Sequence, residues 1–312
     1  MQKNKNDLGD SGDTQPCHTG DPIRLVTFGQ YRGLLFSIAY RMLGSVADAE
    51  DMLQDTFIRW QQASGDGIQS AKAFLVTIIS RLCINHLQSA RVRREEHVGQ
   101  WLPEPLMIDP GNDPLAILRA DESLSMAFLV LLERLTPVER AVFLLHEIFD
   151  YEYSEIATAL SKSEANCRQI LRRARKHVGA VRPRFEASVR EHDDLLERFV
   201  QATGKGEMEG LVALLSSDAV LHSDGGGKGA ALPNVIQGAD RIARAIVGGL
   251  NKLVPKGRVN RIAQINGESG VVSYLNGRAY SVLTLDVCGG RIRGIYIVSN
   301  PKKLSHLPGA PS

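Results

Sequence analysis

The sequence predicts a multidomain protein in which two all-α modules, a helical bundle and a helix-turn-helix, are followed by an α+β domain shaped as a cone. The length of 312 residues exceeds that of a typical single domain. Apolar residues recur at helical spacing through much of residues 23–178. Beyond residue 258, segments that alternate or run apolar are separated by glycine turns, which is typical of strands.

The composition is that of an ordinary water-soluble protein, with 43% hydrophobic and 23% charged residues. The formal net charge is only +2, so any nucleic-acid surface must be local. The four cysteines form no Cys-x-x-Cys pair, and we expect neither a metal site nor a cofactor. With no apolar run of membrane-spanning length and no signal peptide, we expect a cytoplasmic protein that avoids membranes. Residues 1–22 are polar and predict a disordered tail.

Residues 23–95 predict the helical bundle. A first apolar stripe ends at Gly44, and Ser45 followed by Asp48 predicts the start of a second helix. The outer face of this second helix is acidic. Its charged and polar residues are Asp48, Glu50, Asp51, Gln54 and Asp55. Periodicity alone leaves two interpretations open, a solvated surface or a docking face for a basic partner.

A long third helix is predicted over residues 73–90, after a glycine-containing loop at 63–70. Asn85 and His86 lie near the end of this helix, and Arg91, Arg93 and Arg94 follow them. The basic end indicates either a nucleic-acid contact or simple solvation.

Residues 96–128 predict a linker, because prolines prevent a continuous helix there. Large apolar side chains within a loop usually dock onto another surface. The segment that carries them consists of Trp101, Leu102, Pro103, Glu104, Pro105 and Leu106. A linker that needed only flexibility would not contain such residues.

Residues 129–182 predict the helix-turn-helix. Thr136, Pro137 and Glu139 form a helix start, Ser154 is expected to cap a short helix through Leu160, and Ser161 or Ser163 starts the last helix. One face of that last helix is apolar. The opposite side and its start are polar and basic, with Ser163, Glu164, Asn166, Arg168, Arg172, Arg173, Arg175 and Lys176. Such a helix suits a DNA major groove, with the first four side chains near base edges. A three-helix packing unit with a solvated basic face is the alternative.

Residues 183–312 predict the cone. Helices are expected over 192–204, 207–215 and 240–253, and strands over 218–224, 258–265, 270–275, 279–287 and 291–299, forming an antiparallel curved sheet. His222 and Asp224 are two residues apart and are expected to point into one cavity, as an acid/base pair would. The run Asp224, Gly225, Gly226, Gly227 and Lys228 is too short for a Walker phosphate loop and predicts an exposed turn.

The order of these modules resembles the extracytoplasmic-function sigma factors of bacterial RNA polymerase. Residues 40–44 and 48–57 resemble the segment that docks on the polymerase clamp helices, and residues 74–78 with Asn85 and His86 resemble the helix that engages the melted promoter. Arg81 and Asn85 depart from the asparagine and aspartate more usual there. The resemblance implies polymerase docking by the acidic helix, −10 reading by the third helix and its arginines, and −35 reading by the last helix of the helix-turn-helix. Its partners would be core RNA polymerase, at the clamp helices and flap, and promoter DNA.

Three short strings resemble the sigma-factor group that carries a fused SnoaL-like, or NTF2-like, domain. They are the 101–106 segment, the 224–228 run, and Asn300, Pro301, Lys302, Lys303 and Leu304. The resemblance implies that the extension modulates sigma activity in cis at a stress-type regulon. Our hypothesis is that the linker and the Asp224 loop pack together and fix the spacing of the two DNA-reading domains. An unknown small ligand in the cone, or polymerase itself, would shift this packing.

Two other functions compete with this interpretation. A one-component DNA-binding regulator with a ligand domain would leave residues 23–94 unexplained, because it needs no polymerase-docking module. An enzyme in the cone with an attached DNA-binding part is possible, although no substrate class is indicated and fold does not dictate function. We therefore expect a sigma factor with no enzymatic activity.

Overall fold

The computed structural model describes residues 22–64, 67–94, 100–107, 124–179, 188–227, 231–232, 234–250 and 255–310. Of the predicted N-terminal tail, residues 1–21 lie outside this part of the chain. Lys228 also lies outside it, as do the side chains of Arg91, Arg93 and Arg94. The predicted order, two all-α modules followed by an α+β domain, is confirmed.

The first module consists of α1 (Pro22–Leu43), α2 (Val46–Gln62) and α3 (Ala71–Arg94). Gly44 has φ +66°, a left-handed conformation that glycine adopts without a Cβ clash, and α1 ends there as predicted. Ser45 caps α2, since its hydroxyl accepts a hydrogen bond from the Asp48 backbone N–H at 3.2 Å. Local sequence signals therefore position the turn between α1 and α2.

The second module consists of α4 (Met126–Leu132), α5 (Pro137–Glu147), α6 (Tyr153–Leu160) and α7 (Glu164–Val178). The capping box of Thr136 and Glu139 is confirmed. The expected cap at Ser154 is wrong: α6 begins at Tyr153, and the Glu152 backbone N–H before it donates to the Glu155 carboxylate at 2.9 Å. Ser163, rather than Ser161, caps α7. The helix α4 begins at Met126, so its first three residues lie within the predicted linker.

The two helical modules share one hydrophobic core in which residues of α1–α3 pack with residues of α5–α7. Arg140 crosses between the modules, donating to the Met42 carbonyl at 2.6 Å while pairing with Glu133 at 2.8 Å. Arg81 on α3 donates to the Ala159 carbonyl at 2.7 Å and to the Ser161 hydroxyl at 2.9 Å, at the end of α6. The two helical modules therefore pack directly against each other, and we call this the closed arrangement.

The C-terminal domain begins with α8 (Val189–Lys205) and α9 (Met208–Leu214), and α10 (Ala239–Ala245) continues into a π turn over Ile246–Leu250. The strands are β1 (Leu215–Asp224), β2 (Ile236–Gln237), β3 (Val259–Ile265), β4 (Glu268–Leu275), β5 (Arg278–Cys288) and β6 (Arg291–Val298), and the short helix α11 (Pro301–Leu304) follows. They form a sheet in the order β2-β1-β6-β5-β4-β3.

The expectation of an antiparallel sheet is wrong at one position, because β1 runs parallel to β6. The strands β3 to β6 form an antiparallel meander. The last strand of this meander, β6, lies beside β1, and the two strands are far apart in sequence. Alternation and turns identify strands, but they do not identify the neighbour of a strand that pairs across a long connection.

The sheet has two covered faces. The inner face packs against α8, α9 and α10, with Leu221, Leu285 and Ile295 in its core. The outer face packs against the linker, α4 and the segment after β6, through residues such as Leu102, Met126 and Leu304. Among the described residues, no helix combines the length and apolar character needed to cross a membrane.

Candidate functional site

The linker is held on the outer face of the sheet by a buried ion pair. Asp224, at the end of β1, has no solvent exposure. Its carboxylate accepts from the Leu102 backbone N–H at 3.0 Å and from the Lys303 Nζ at 2.7 Å. The Lys303 ammonium also donates to the Leu102 carbonyl. A buried charge pair is tolerated only where its remaining bonding capacity is used, and here the linker backbone uses it.

Trp101 lies between this ion pair and the first helical module. Its ring centroid is 4.2 Å from the Lys303 Nζ, a cation–π contact. The indole also lies so close to Gly44 that a Cβ at that position would be 2.7 Å from the indole carbon Cη2. Glycine at position 44 therefore both ends α1 and makes room for the linker.

Glu104 fastens the linker to the start of α2. Its carboxylate accepts from the Val46 N–H at 2.7 Å and the Ser45 hydroxyl at 3.1 Å, and its own backbone N–H donates to the Gly44 carbonyl at 2.8 Å. A carboxylate at a helix N-terminus is stabilised by the exposed N–H groups and the helix dipole. The linker is thus bonded both to the first helical module and to the C-terminal domain.

A polar chain at the far end of the linker joins three parts of the molecule. Leu106 and Asn266 form two hydrogen bonds. The Leu106 backbone N–H donates to the Asn266 side-chain oxygen at 2.9 Å, and the Asn266 backbone N–H donates to the Leu106 carbonyl at 2.8 Å. The Asn266 amide donates to the Tyr40 hydroxyl at 2.7 Å, which donates to the Glu104 carbonyl at 2.6 Å. Burial raises the pKa of Tyr40, so its phenol stays protonated as this donor.

The structure brings the three signature strings together. The Ser299 N–H donates to the Asp224 carbonyl at 2.7 Å, and the Gly226 N–H donates to the Asp224 carboxylate at 3.0 Å. Gly226 has φ +56° and lies so close to Asn300 that a Cβ would overlap its amide at 2.4 Å. Pro301 and Leu304 belong to α11, which the Asn300 side chain caps. The buried lysine is Lys303, while Lys302 is exposed.

The expectation that His222 and Asp224 point into a cavity of the cone is wrong. They share a face, as strand alternation predicted, but it is the outer face. His222 stacks on Tyr296 at 5.4 Å and its Nδ1 lies 3.2 Å from the Gln100 side-chain oxygen. Burial lowers the pKa of His222. The pair therefore contacts the linker, and no acid/base constellation is formed by it inside the cone.

The helix α7 presents the predicted polar and basic surface. Its apolar stripe is buried and consists of Cys167, Ile170, Leu171, Ala174 and Val178. The residues proposed to read DNA are exposed, and they are Ser163, Glu164, Asn166, Arg168, Arg172, Arg173, Arg175 and Lys176. Arg168 pairs with Glu164 at 2.8 Å and Arg175 pairs with Glu147. Ser163 is also occupied as the cap of α7.

The helix α3 presents Asn85 to solvent, whereas His86 turns toward α2, with its Nε2 3.6 Å from the Asp48 carboxylate. On α2, Glu50 pairs with Arg32 at 2.7 Å. Asp51, Gln54 and Asp55 remain exposed on one side of α2.

Sequence reasoning missed Ile58, which is 51% exposed and follows Gln54 by one turn on the same side of α2. An apolar side chain placed at helical spacing among acidic residues was the available signal. Tyr40 and Asn266 were also missed as partners of the linker, and no local signal marks them.

Among the described residues, no group of three or more His, Cys, Asp or Glu side chains is arranged to hold a metal ion.

Comparison with known proteins agrees with this architecture. Residues 27–93 match the family model of sigma-70 region 2, and residues 125–178 match that of sigma-70 region 4. The helical modules are therefore those of a sigma-70-type transcription factor. The chain is 34% identical over 291 residues to the ECF RNA polymerase sigma factor SigJ of Mycobacterium tuberculosis, covering 90% of this chain and 93% of that protein.

The chain belongs to the extracytoplasmic-function family of RNA polymerase sigma factors, whose members bind core RNA polymerase and promoter DNA to initiate transcription. It is 30% identical over 289 residues to the probable sigma factor SigI of M. tuberculosis, covering 92% of this chain and 96% of that protein. The crystal structure of M. tuberculosis SigJ superimposes with a TM-score of 0.74 at 33% identity, covering 90% of this chain and 98% of that one. The resemblance drawn from the sequence is confirmed.

Proposed function

We propose that the C-terminal domain modulates this sigma factor in cis by holding the linker between the two helical modules, and that the protein serves a stress-type regulon in the cytoplasm. The observation that carries the proposal is the double attachment of residues 101–106. One side of the linker bonds to Gly44, Ser45 and Val46, and the other bonds to Asp224 and Lys303. A change in the C-terminal domain would therefore act on the segment that sets the distance between the helical modules.

The closed arrangement of the modules gives this attachment a physical role. To read two separate promoter elements, α3 and α7 must lie on different stretches of DNA, whereas here the modules share a core and are joined by Arg81. A linker bonded on one side to the start of α2 and on the other to the C-terminal domain limits the freedom of the chain that joins the two modules. Release of the Asp224–Lys303 pair would free the linker backbone and favour the open arrangement.

We assign DNA and polymerase contacts to the exposed surfaces. On α7, Ser163, Glu164, Asn166 and Arg168 would approach base edges at the −35 element, and the later arginines and Lys176 would contact phosphates. Asn85, His86 and the basic end of α3 would serve the −10 element. Asp51, Gln54 and Asp55, together with Ile58, offer a polar rim and an apolar centre to the polymerase clamp helices, which is typical of an interface.

Run-off transcription tests the cis effect. The experiment uses purified core polymerase and fragmented genomic DNA, with the full chain, a truncation ending near residue 184, and a Trp101→Ala/Leu102→Ala variant. Paired fluorophores on the two helical modules of the full-length forms report their distance. We expect the linker variant to change both the transcript yield and the distance.

An Asp218→Ala variant is the matched control, because Asp218 is an exposed acid on the same strand as Asp224. The cis proposal fails if the linker variant behaves as this control does in both measurements. The sign of the yield change, compared with the truncation, decides whether the domain restrains or assists transcription.

A separate experiment tests the assignment of α7. We expect Arg172→Ala to weaken promoter binding and to lower the dependence of log affinity on log salt by about one unit, because one phosphate contact is lost. Arg190→Ala is the control, since Arg190 is exposed on α8. An unchanged salt dependence for Arg172→Ala would remove this residue from the phosphate contacts.

A further inference from the structure

The inner face of the sheet contains a cavity of about 130 Å³ between α8 and the strands. Its apolar wall is formed by Phe199, Ile246, Val271, Leu283 and Ile297. An apolar cavity of about 150 Å³ accommodates one benzene ring, whereas sites for drug-sized ligands are several times larger. The volume of this cavity therefore suits a molecule with a single ring.

The wall of the cavity is polar along one edge. Asn260, Ser273 and Ser281 lie directly opposite one another on β3, β4 and β5, and the Ser273 hydroxyl donates to the Asn260 side chain at 2.8 Å. The neighbouring row, with Val271 opposite Leu283 and Leu283 opposite Ile297, is apolar. An occupant must therefore present an apolar body on one side and a polar group on the other.

Two polar side chains at this edge have no partner in the part of the chain that the structure describes. Arg258 precedes β3 and lines the cavity, and no hydrogen bond or ion pair engages its guanidinium. Tyr280 is the extra residue of a bulge, because Ser273 faces Ser281 while Tyr274 faces Ala279. A bulge re-aims a side chain, and here Tyr280 lines the cavity together with Arg258. A guanidinium beside an apolar wall suits a carboxylate, which it binds through two parallel hydrogen bonds.

We propose that this cavity binds a single-ring aromatic carboxylate, with the ring on the apolar wall and the carboxylate against Arg258 and Tyr280. Binding is non-covalent and requires no cofactor. The neutral polar row beside the ring accommodates hydroxyl substituents.

The consequence of binding rests on the cis modulation proposed above. Ser299 lines the same cavity, and its backbone N–H donates to the Asp224 carbonyl at 2.7 Å. The Asp224 carboxylate in turn holds Leu102 and Lys303 on the other face. A ligand that contacts Ser299 would therefore touch a residue that is itself hydrogen-bonded to Asp224, whose carboxylate holds the linker.

Calorimetric titration of the full chain with benzoate tests the binding, with benzyl alcohol as the neutral counterpart of similar size. We expect saturable binding of one benzoate per chain. Arg258→Gln should weaken it at least about tenfold, because a charge-assisted pair is lost. Benzyl alcohol should bind more weakly than benzoate and should be insensitive to this variant.

Arg261→Gln is the matched control, because Arg261 is an exposed arginine on β3 that does not line the cavity. It should leave benzoate affinity unchanged, whereas Leu283→Trp, which fills the cavity, should abolish binding while circular dichroism reports an intact fold. Absence of saturable benzoate binding, or equal affinity in Arg258→Gln and the unchanged chain, overturns the proposal.

The two proposals fail separately. A transcription change in the linker variant without benzoate binding would leave the cis modulation standing and remove the ligand class. Benzoate binding that Arg258→Gln weakens, together with a linker variant that transcribes normally, would leave the ligand site standing without its regulatory role.

Discussion

The two faces of the C-terminal sheet are made by alternate residues of the same strands, yet they serve different ends. The inner face packs against α8, α9 and α10 and is mainly apolar apart from the polar edge of its cavity. The outer face has a buried ion pair at one edge and is covered by the linker, more than a hundred residues away in sequence from its partner Asp224. The inner face therefore stabilises the domain, whereas the outer face specifies which other segment lies against it.

This difference has a physical basis. The free energy gained by burying apolar surface is roughly proportional to the buried area and depends little on which apolar partner covers it. A buried charge pair contributes little net stability when complete, but it is costly when one member is missing, so it favours one particular arrangement. A substitution on the outer face should thus detach the linker from the sheet. A substitution on the inner face should destabilise the fold of the whole domain.

Asp224→Ala should have the largest effect. It leaves the Lys303 ammonium and the Leu102 N–H without their buried acceptor, at a cost of about 3–5 kcal/mol to the docked linker. Hydrogen exchange should show faster exchange at Leu102 and Leu106 while amides of β4 and β5 keep their protection. Asp218→Ala serves as the control. Uniform loss of protection across the sheet would contradict the division between the faces.

Leu285→Ala should act on the inner face. Leu285 is 1% exposed, and removing its side chain from a packed core costs about 3 kcal/mol through lost burial and a residual cavity. Differential scanning calorimetry should record a lower Tm for the C-terminal domain. Exchange at the linker should rise together with exchange at the strands. Faster exchange at the linker alone would contradict the assignment of Leu285 to domain stability.

Gly44→Ala should loosen the linker from the opposite side. The added Cβ meets the Trp101 ring at 2.7 Å, and the positive φ at this position strains any other residue, so we expect a cost of about 2 kcal/mol. Trp101 fluorescence should report greater solvent exposure in a Trp60→Phe background. Gly29→Ala is the control, since a Cβ at Gly29 meets nothing within 4 Å. An unchanged Trp101 emission would contradict the packing role of Gly44.

The smallest effect concerns pH at the outer face. Burial, with a smaller contribution from Arg134, lowers the pKa of His222 below its usual value near 6.5. The unfolded chain therefore takes up a proton first as pH falls, and stability falls below about pH 6.5 while it is retained above that value. We expect this loss to be smaller than the losses in the three variants above.

His222→Phe retains a ring to stack on Tyr296 and removes the titration. Thermal unfolding between pH 7.5 and 5.5 should show a steeper decline in Tm for the unchanged chain than for this variant. Parallel declines would show that other groups account for the pH dependence.

Much of the fold was predictable because the signals are local. The Thr136 capping box, the glycine end of α1 at Gly44 and the buried stripe of α7 each depend on residues within a few positions of one another. The strands of the meander and β1 follow in the same way from alternation and turns, although β1 begins three residues earlier than predicted. The signature strings of the linker site were also visible in the sequence, and the structure brings them together.

The sequence by itself determined most of the elements, the family and which side chains of an element share a face. Only the tertiary structure decided which surfaces meet: that β1 lies parallel to β6, that His222 and Asp224 face the linker instead of the cavity, and that Lys303 is the buried lysine. The physical reason is the range of the interactions. Backbone capping and side-chain alternation act within one or two turns of the chain, whereas the partner of a buried charge is selected by the packing of whole domains.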